Sequence, residues 1–435
     1  MAVIRPLAGI RYSTAAVGRD LSALIAPPYD VLDEAGKQAL LARDPRNVVQ
    51  VDLPHTPPKV AGPDAVYAGA HQTIRQWLAD GVLAQDHRAC LYPYQQSYDH
   101  AGKTYHRRGL LCRVKLSPFG AGDVVPHEKT YDGPIEDRLK LMRATGMQLS
   151  PVFGLFSDPA GEVNKLLYHE VSRPIQEATL DKVVNRLWSV HDAAVEAKVI
   201  DFFSGKAIYI ADGHHRYTTA LHYQKEMREK HGGSLPEAHP ANYCLFALVP
   251  MQDPGLLIHP THRLLGGLKG FDLARLKQAL GANADVAEAP LSPTEIRQFA
   301  ATLPGYGPHT FGLYCGDSGR LYSIKLRNPD VLKPIEPTHS DAWRSLDVAI
   351  LQRWLIDEVF SPAFAGGQKL TPGYTADADA ILPMMQKGHY QVALLLQPTP
   401  LAALESLGRT GEVMPQKSTY FFPKLATGLV ISPLE

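Results

Sequence analysis

Ala207-Ile-Tyr-Ile-Ala-Asp212-Gly213-His214-His215-Arg216-Tyr217-Thr218-Thr219-Ala220 changes character at its midpoint. A short apolar run of strand type meets Asp-Gly, and a helical pattern follows from His214 to Lys230, stopped by Gly232-Gly233. The layout is buried strand, tight turn, helix start. Asp212 is suited to cap the helix, and Gly213 lets backbone approach a ligand with no Cβ in the way. His214, His215 and Arg216 then fall in the first turn, where unpaired N–H groups and the positive end of the helix dipole favour anions. Arg216 adds a two-pronged donor for phosphate. The stretch therefore reads as a phosphate or oxyanion site. The competing reading is an ordinary Asp-Gly turn, and adjacent helical histidines point about 100° apart, so both do not easily serve one ligand.

Outward from this stretch, strand and helix signals alternate without a repeat. Ala89 to Ser97 and His106 to Lys115 read as a hairpin around Asp99-His100-Ala101-Gly102, after a helix carrying Ile74, Trp77 and Leu78. Asp181 to Phe203 reads as helix, with Val183, Leu187, Val190 and Ala194 at helical spacing. Farther on, Asp272 caps one helix that ends at Gly281, and Ser292-Pro293-Thr294-Glu295 is a capping box for another. His309 to Cys315 pairs with Arg320 to Arg327, Leu346 to Val359 is an amphipathic helix, and Gln391 to Gln397 is an apolar strand. The expected fold is mixed α/β (α+β) in two lobes, residues 1–235 and 236–435, the break falling at Gly232-Gly233, Pro236 and Pro240.

The composition bounds the function. Lys plus Arg and Asp plus Glu are both 44 in 435 residues, so no basic excess exists to neutralise a nucleic-acid backbone. Cys90, Cys112, Cys244 and Cys315 are too scattered for a CxxC pair and fit buried thiols in a reducing compartment. The longest apolar run, Tyr243 to Val249, is far short of the roughly 20 residues that span a bilayer, and the first residues carry no signal-peptide pattern. A cytoplasmic protein is expected, with no nucleic-acid partner and no membrane partner.

Three other segments bear chemistry. Ile25-Ala-Pro27-Pro28-Tyr29-Asp30-Val31 is stiffened by two prolines and makes a firm mount for a carboxylate, or else holds a turn aspartate bonded to its own loop. His127-Glu128-Lys129-Thr130 offers Glu128 as a base or magnesium ligand, or is a solvated charged loop. The segment Met414 to Lys424 is aromatic, proline-flanked and basic, so residues 412–430 should dock on the fold; Lys417 then suits an anion, unless Tyr420, Phe421 and Phe422 simply pack. His259-Pro260-Thr261-His262-Arg263 reads as loop, because Pro260 breaks any helix that would align its histidines on a metal.

Asp212-Gly213-His214-His215-Arg216 resembles the phosphate box of the ParB/sulfiredoxin-like superfamily, closest to the Asp-Gly-His form in its free serine kinases. The whole chain resembles the family catalogued as domain of unknown function 1015, through Pro27 to Val31, His127 to Thr130, Ser150 to Phe153, Ala211 to Ala220 and Met414 to Leu429. Sulfiredoxin chemistry needs a cysteine where this chain has His214, and ParB function needs basic surface, so the resemblance points to a small-molecule kinase. It implies a ParB/sulfiredoxin-like core with insertions in the N-terminal lobe, ATP or ADP with Mg2+, and a hydroxylated acceptor, free L-serine first. Asp212, Gly213, His214, His215, Arg216 and Lys417 would bind phosphate, Asp212 or Glu128 would hold the metal, and Asp30 or Glu128 would take the hydroxyl proton. A non-catalytic nucleotide-binding regulator and a metal-dependent hydrolase built on Asp212, His214 and His215 are the alternatives.

Overall fold

The computed structural model describes residues 2–169, 171 and 173–435. The chain is mixed α/β and divides into two compact units, Met1–Leu257 with Pro423–Glu435, and Ile258–Phe422.

The first unit is built on a sheet whose strands are β1 (Ile4–Arg5), β2 (Tyr92–His100), β3 (Lys103–Lys115), β4 (Val124–Val125), β5 (Val152–Phe156), β6 (Gln176–Leu180), β7 (Val183–Leu187), β8 (Ile208–Asp212) and β9 (Tyr243–Pro250). Their order is β4-β8-β5-β9-β3-β2-β7-β6, with β1 against β3. β8–β4 and β5–β9 are parallel, and the other pairs are antiparallel. The β2–β3 hairpin turns at Ala101 and Gly102, both at positive φ, as a two-residue connection requires. The helices are α1 (Asp64–Ala79), α2 (Asp132–Thr145), α3 (Ala193–Phe203) and α4 (His214–Lys230). In α1, Tyr67, Ala70, Ile74 and Trp77 are buried along one stripe. Phe156, Phe203, Ile208, Ile210, Tyr217 and Phe246 join one core, which fixes β8 and the start of α4 from beneath.

Two sequence readings change here. The segment expected as one helix from Asp181 to Phe203 is strand β7 followed by α3. Val183 and Leu187 are four apart, which suits either period; the burial alternates through Val183, Asn185 and Leu187, which is the strand's period of two. The boundary expected at 235/236 precedes β9, a fully buried strand between β5 and β3. Cutting there would remove the middle of the sheet, and the division lies at Leu257/Ile258 instead.

The second unit holds a sheet of β10 (His262–Leu265), β11 (Ala284–Glu288), β12 (Thr310–Cys315), β13 (Arg320–Leu326), β14 (Gly373–Thr375) and β15 (Val392–Leu395), in the order β11-β13-β12-β15-β10-β14. Asp272 caps Leu273–Leu280 through the Arg275 amide at 2.8 Å, and Glu295 accepts from the Ser292 amide at 2.9 Å. Residues Ile350–Phe360 are helical but wound wider than an α-helix; just beyond them, the Ser361 amide reaches the Ile356 carbonyl five residues back. The tail is shared out by residue. Within the second unit, Trp343 Nε1 donates to the Val413 carbonyl at 2.9 Å. Within the first, the Thr427 amide donates to Ala26 at 2.8 Å, and Ile431 bridges Ile10.

Candidate phosphate site

β8 ends at Asp212, with a register shift against β5 between Ile210 and Asp212. Gly213 follows at φ +93°. A Cβ there would lie 2.9 Å from the Arg216 guanidinium, so both the conformation and the close approach call for glycine. α4 starts at His214, as its sequence pattern predicts. The cap differs from expectation. Gly213, not Asp212, is the N-cap residue, and among the described residues no side chain caps the helix. The amide of Tyr217 is bonded to the Gly213 carbonyl at 3.0 Å, which leaves the preceding amides, Gly213 to Arg216, as the uncapped donors of the first turn.

The Asp212 carboxylate is occupied otherwise. Lys424 Nζ donates to its Oδ2 at 2.8 Å, and Arg216 Nη2 stands 3.8 Å from its Oδ1. Burial pushes this carboxyl up, but the charges of Lys424 and Arg216 outweigh it and hold the group well below the usual carboxylate range. Arg216 also donates to the Pro151 carbonyl. Asp212 is therefore an anchor for two cations, Lys424 and Arg216. Lys417 belongs to the second unit, where it is exposed, sits at φ +57° and offers its carbonyl to Arg263 at 3.1 Å. The lysine that meets Asp212 is Lys424, seven residues on in the same aromatic tail.

The two histidines face one loop. The His127 amide donates to His214 Nε2 at 3.1 Å, and the Tyr131 amide donates to His215 Nε2 at 3.1 Å. Donors four residues apart in the loop thus match adjacent helical residues, which resolves the divergence of the two rings. Both Nε2 atoms are acceptors, so each neutral ring carries its proton on Nδ1. His127 in turn donates from Nδ1 to the Ile210 carbonyl at 2.6 Å, and its ring meets that of His214 edge-on at 4.6 Å. Burial lowers all three rings: His214 well below its ordinary value, with His127 adding to the effect; His215 with Lys59 adding; and His127 against the pull of Glu128.

This arrangement predicts acid sensitivity. A histidine depressed in the folded state contributes fully above the unfolded pKa of about 6.5, and that contribution is lost as pH falls, because only the unfolded chain gains the proton. Stability from urea unfolding should be level above about pH 7.5 and then fall, by at least about 1 kcal/mol by pH 5, given roughly 1.4 kcal/mol per pKa unit. A flat profile down to pH 5 would contradict the buried neutral pair.

Asp30 sits in a single tight turn, Tyr29–Val31, behind Pro27-Pro28. Tyr29 anchors it: the ring is buried, with the Arg138 guanidinium 4.0 Å from its centre. Arg138 is itself locked by Asp137 at 2.7 Å and the Asp52 carbonyl at 2.6 Å. The Asp30 carboxylate is about one-third exposed, with Lys59 Nζ at 3.6 Å. The charges of Asp30 and Arg216 both act on His215, Tyr29 and Asp52, so this loop and the box share one electrostatic neighbourhood. Glu128 is half-buried next to His127, and its charge, with those of Asp212 and Lys424, acts on that ring.

Among the described residues, no group of three or more His, Cys, Asp or Glu side chains is arranged to hold a metal. A hydrolytic centre on Asp212, His214 and His215 also conflicts with the Nε2 bonds above. Magnesium asks less, since it takes one or two carboxylates and completes its shell with water and substrate phosphates. The carboxylates the sequence offers for such an ion are Asp212, already held by Lys424 and Arg216, and Glu128, half-buried next to His127. Lys424, Lys59 and His127 carry parts of this arrangement that sequence reasoning did not single out. Lys424 and His127 lie inside segments already marked as unusual, whereas Lys59 shows only as a lysine after a proline pair.

No helix among the described residues is long and apolar enough to cross a membrane. No curated protein sequence matches the chain. Its structure is similar to a free serine kinase in complex with AMP (14% identity, 71% of this chain and 89% of that one, TM-score 0.30). It is also similar to a conserved hypothetical protein from Pyrococcus furiosus (15% identity, 71% and 92%, TM-score 0.31). SbnI with C-terminal truncation from Staphylococcus aureus is a third (12% identity, 74% and 87%, TM-score 0.34). Residues 4–349, most of the chain, match the family described as "Protein of unknown function (DUF1015)", and the chain belongs to that family.

Proposed function

We propose that the protein is a nucleotide-dependent phosphotransferase acting on a small hydroxylated metabolite. The observation that carries this reading is the uncapped first turn of α4, with Arg216 and Lys424 brought onto one carboxylate beside it. Unpaired amides, a helix dipole and two cations are what a polyphosphate requires. Phosphoryl transfer then needs positioning and charge neutralisation more than covalent chemistry. Magnesium, held by Asp212 or Glu128, would offset charge on the phosphates. Asp30, on its stiff turn, is the base for the acceptor hydroxyl, with Glu128 as the second candidate. The likeness of Asp212-Gly213-His214 to the box of free serine kinases makes L-serine the first acceptor to try.

A thermal-shift series with ATP and ADP, with and without magnesium, tests the binding half. A nucleotide at 100 times its dissociation constant should add about 2.7 kcal/mol of stability. No shift with either nucleotide at millimolar concentration would overturn the reading.

A further inference from the structure

Arg107 is 2% exposed; among the described residues it makes no hydrogen bond to a carboxylate, and its Nη1 has no hydrogen-bond partner. A guanidinium buried on those terms is costly, and an apolar side chain would fill the same space more cheaply. Its bonds show where it is used. Nη2 donates to the Pro423 carbonyl at 2.6 Å and to Gln96 Oε1. Gln96, 1% exposed, spends its two amide hydrogens on the Lys424 carbonyl at 2.9 Å and on Asn185 Oδ1 at 3.1 Å. Asn185 is buried and tied to Tyr94 at 2.6 Å and to the Val183 carbonyl at 3.1 Å, so Gln96 cannot swivel without losing a bond. The floor is Phe153, whose ring lies 4.7 Å beneath the guanidinium and whose backbone pairs with Asp212.

The carbonyls of Pro423 and Lys424 belong to the two peptide groups that flank the Lys424 Cα. Anchoring both fixes the backbone rotation at that residue and hence the direction of its side chain, which ends 2.8 Å from Asp212 Oδ2. We propose that Arg107 and Gln96 are positioning residues that set Lys424 at the phosphate site. The proposal rests on the nucleotide reading above and adds to it the device that aims the lysine. Burial also lowers the Arg107 guanidinium to about 10, still charged at neutral pH.

The test compares Arg107→Met, Gln96→Met, Lys424→Ala and the Arg107→Met/Lys424→Ala pair in the full chain. It reads ADP affinity by calorimetry and the rate of Lys424 acetylation by mass spectrometry. Arg107→Met should weaken ADP binding by about tenfold, the scale of one or two lost hydrogen bonds, and should add little once Lys424 is alanine. Acetylation of Lys424 should speed up several-fold relative to other lysines. Gln96→Met should shift both readouts in the same direction, and it decides the matter if Arg107→Met does not fold. Unchanged Lys424 reactivity in a folded variant, or losses that add fully in the double variant, would overturn the proposal. Absence of ADP binding in the wild type, with faster Lys424 acetylation in Arg107→Met, would discard the nucleotide reading and leave the positioning role standing.

Discussion

Asp30→Asn is expected to cut turnover by about 10² or more while leaving nucleotide affinity nearly unchanged. The amide keeps the shape of the side chain but cannot accept the acceptor's proton, and general-base loss falls on that scale. The turn should survive, because Pro27-Pro28 and the buried Tyr29 on Arg138 hold it without help from the Asp30 carboxylate. The Lys59 contact at 3.6 Å, between side chains about one-third exposed or more, contributes little to stability. Steady-state rates and calorimetric affinities on the same preparation check the split. Full turnover in Asp30→Asn would move the base to Glu128. If the wild type binds nucleotide and transfers nothing to any hydroxylated acceptor, the site is a regulatory one.

Arg216→Ala is expected to weaken ATP and ADP binding by one to two orders of magnitude, from the roughly 1.5–3 kcal/mol of a charge-assisted contact. It should also cost some stability, about 1–2 kcal/mol, because Arg216 donates to the Pro151 carbonyl and faces Asp212. Arg216→Lys separates the two effects. It restores a charge near Asp212 but not the planar fork, so it should recover part of the affinity. Unaltered affinity in a folded Arg216→Ala would remove the arginine from the phosphate site.

The strand, glycine and helix of the box were legible because each has a local cause: an apolar run, a position needing positive φ, and a helical pattern with a Gly-Gly stop. Asp212 was misplaced as a cap because local rules do not know that Lys424, more than 200 residues away, claims the carboxylate. For the same reason the sequence points to Lys417 and not to Lys424: the aromatic tail marks the segment, and only tertiary structure says which amine reaches which carboxylate. Val183–Leu187 was ambiguous in principle, since a spacing of four suits both a strand and a helix. His214 and His215 looked incompatible on one helix until a loop supplied a separate amide for each. Arg107 had no signal at all, being one of two adjacent arginines in an alternating strand.

On the reading proposed above, phosphate sits on the first turn of α4. Backbone amide resonances of Gly213, His214, His215 and Arg216, followed while ADP is titrated into the full chain, test it most directly. These four amides should shift together along one saturating curve, with the dissociation constant that calorimetry gives. Saturating ADP binding that leaves them in place would contradict it.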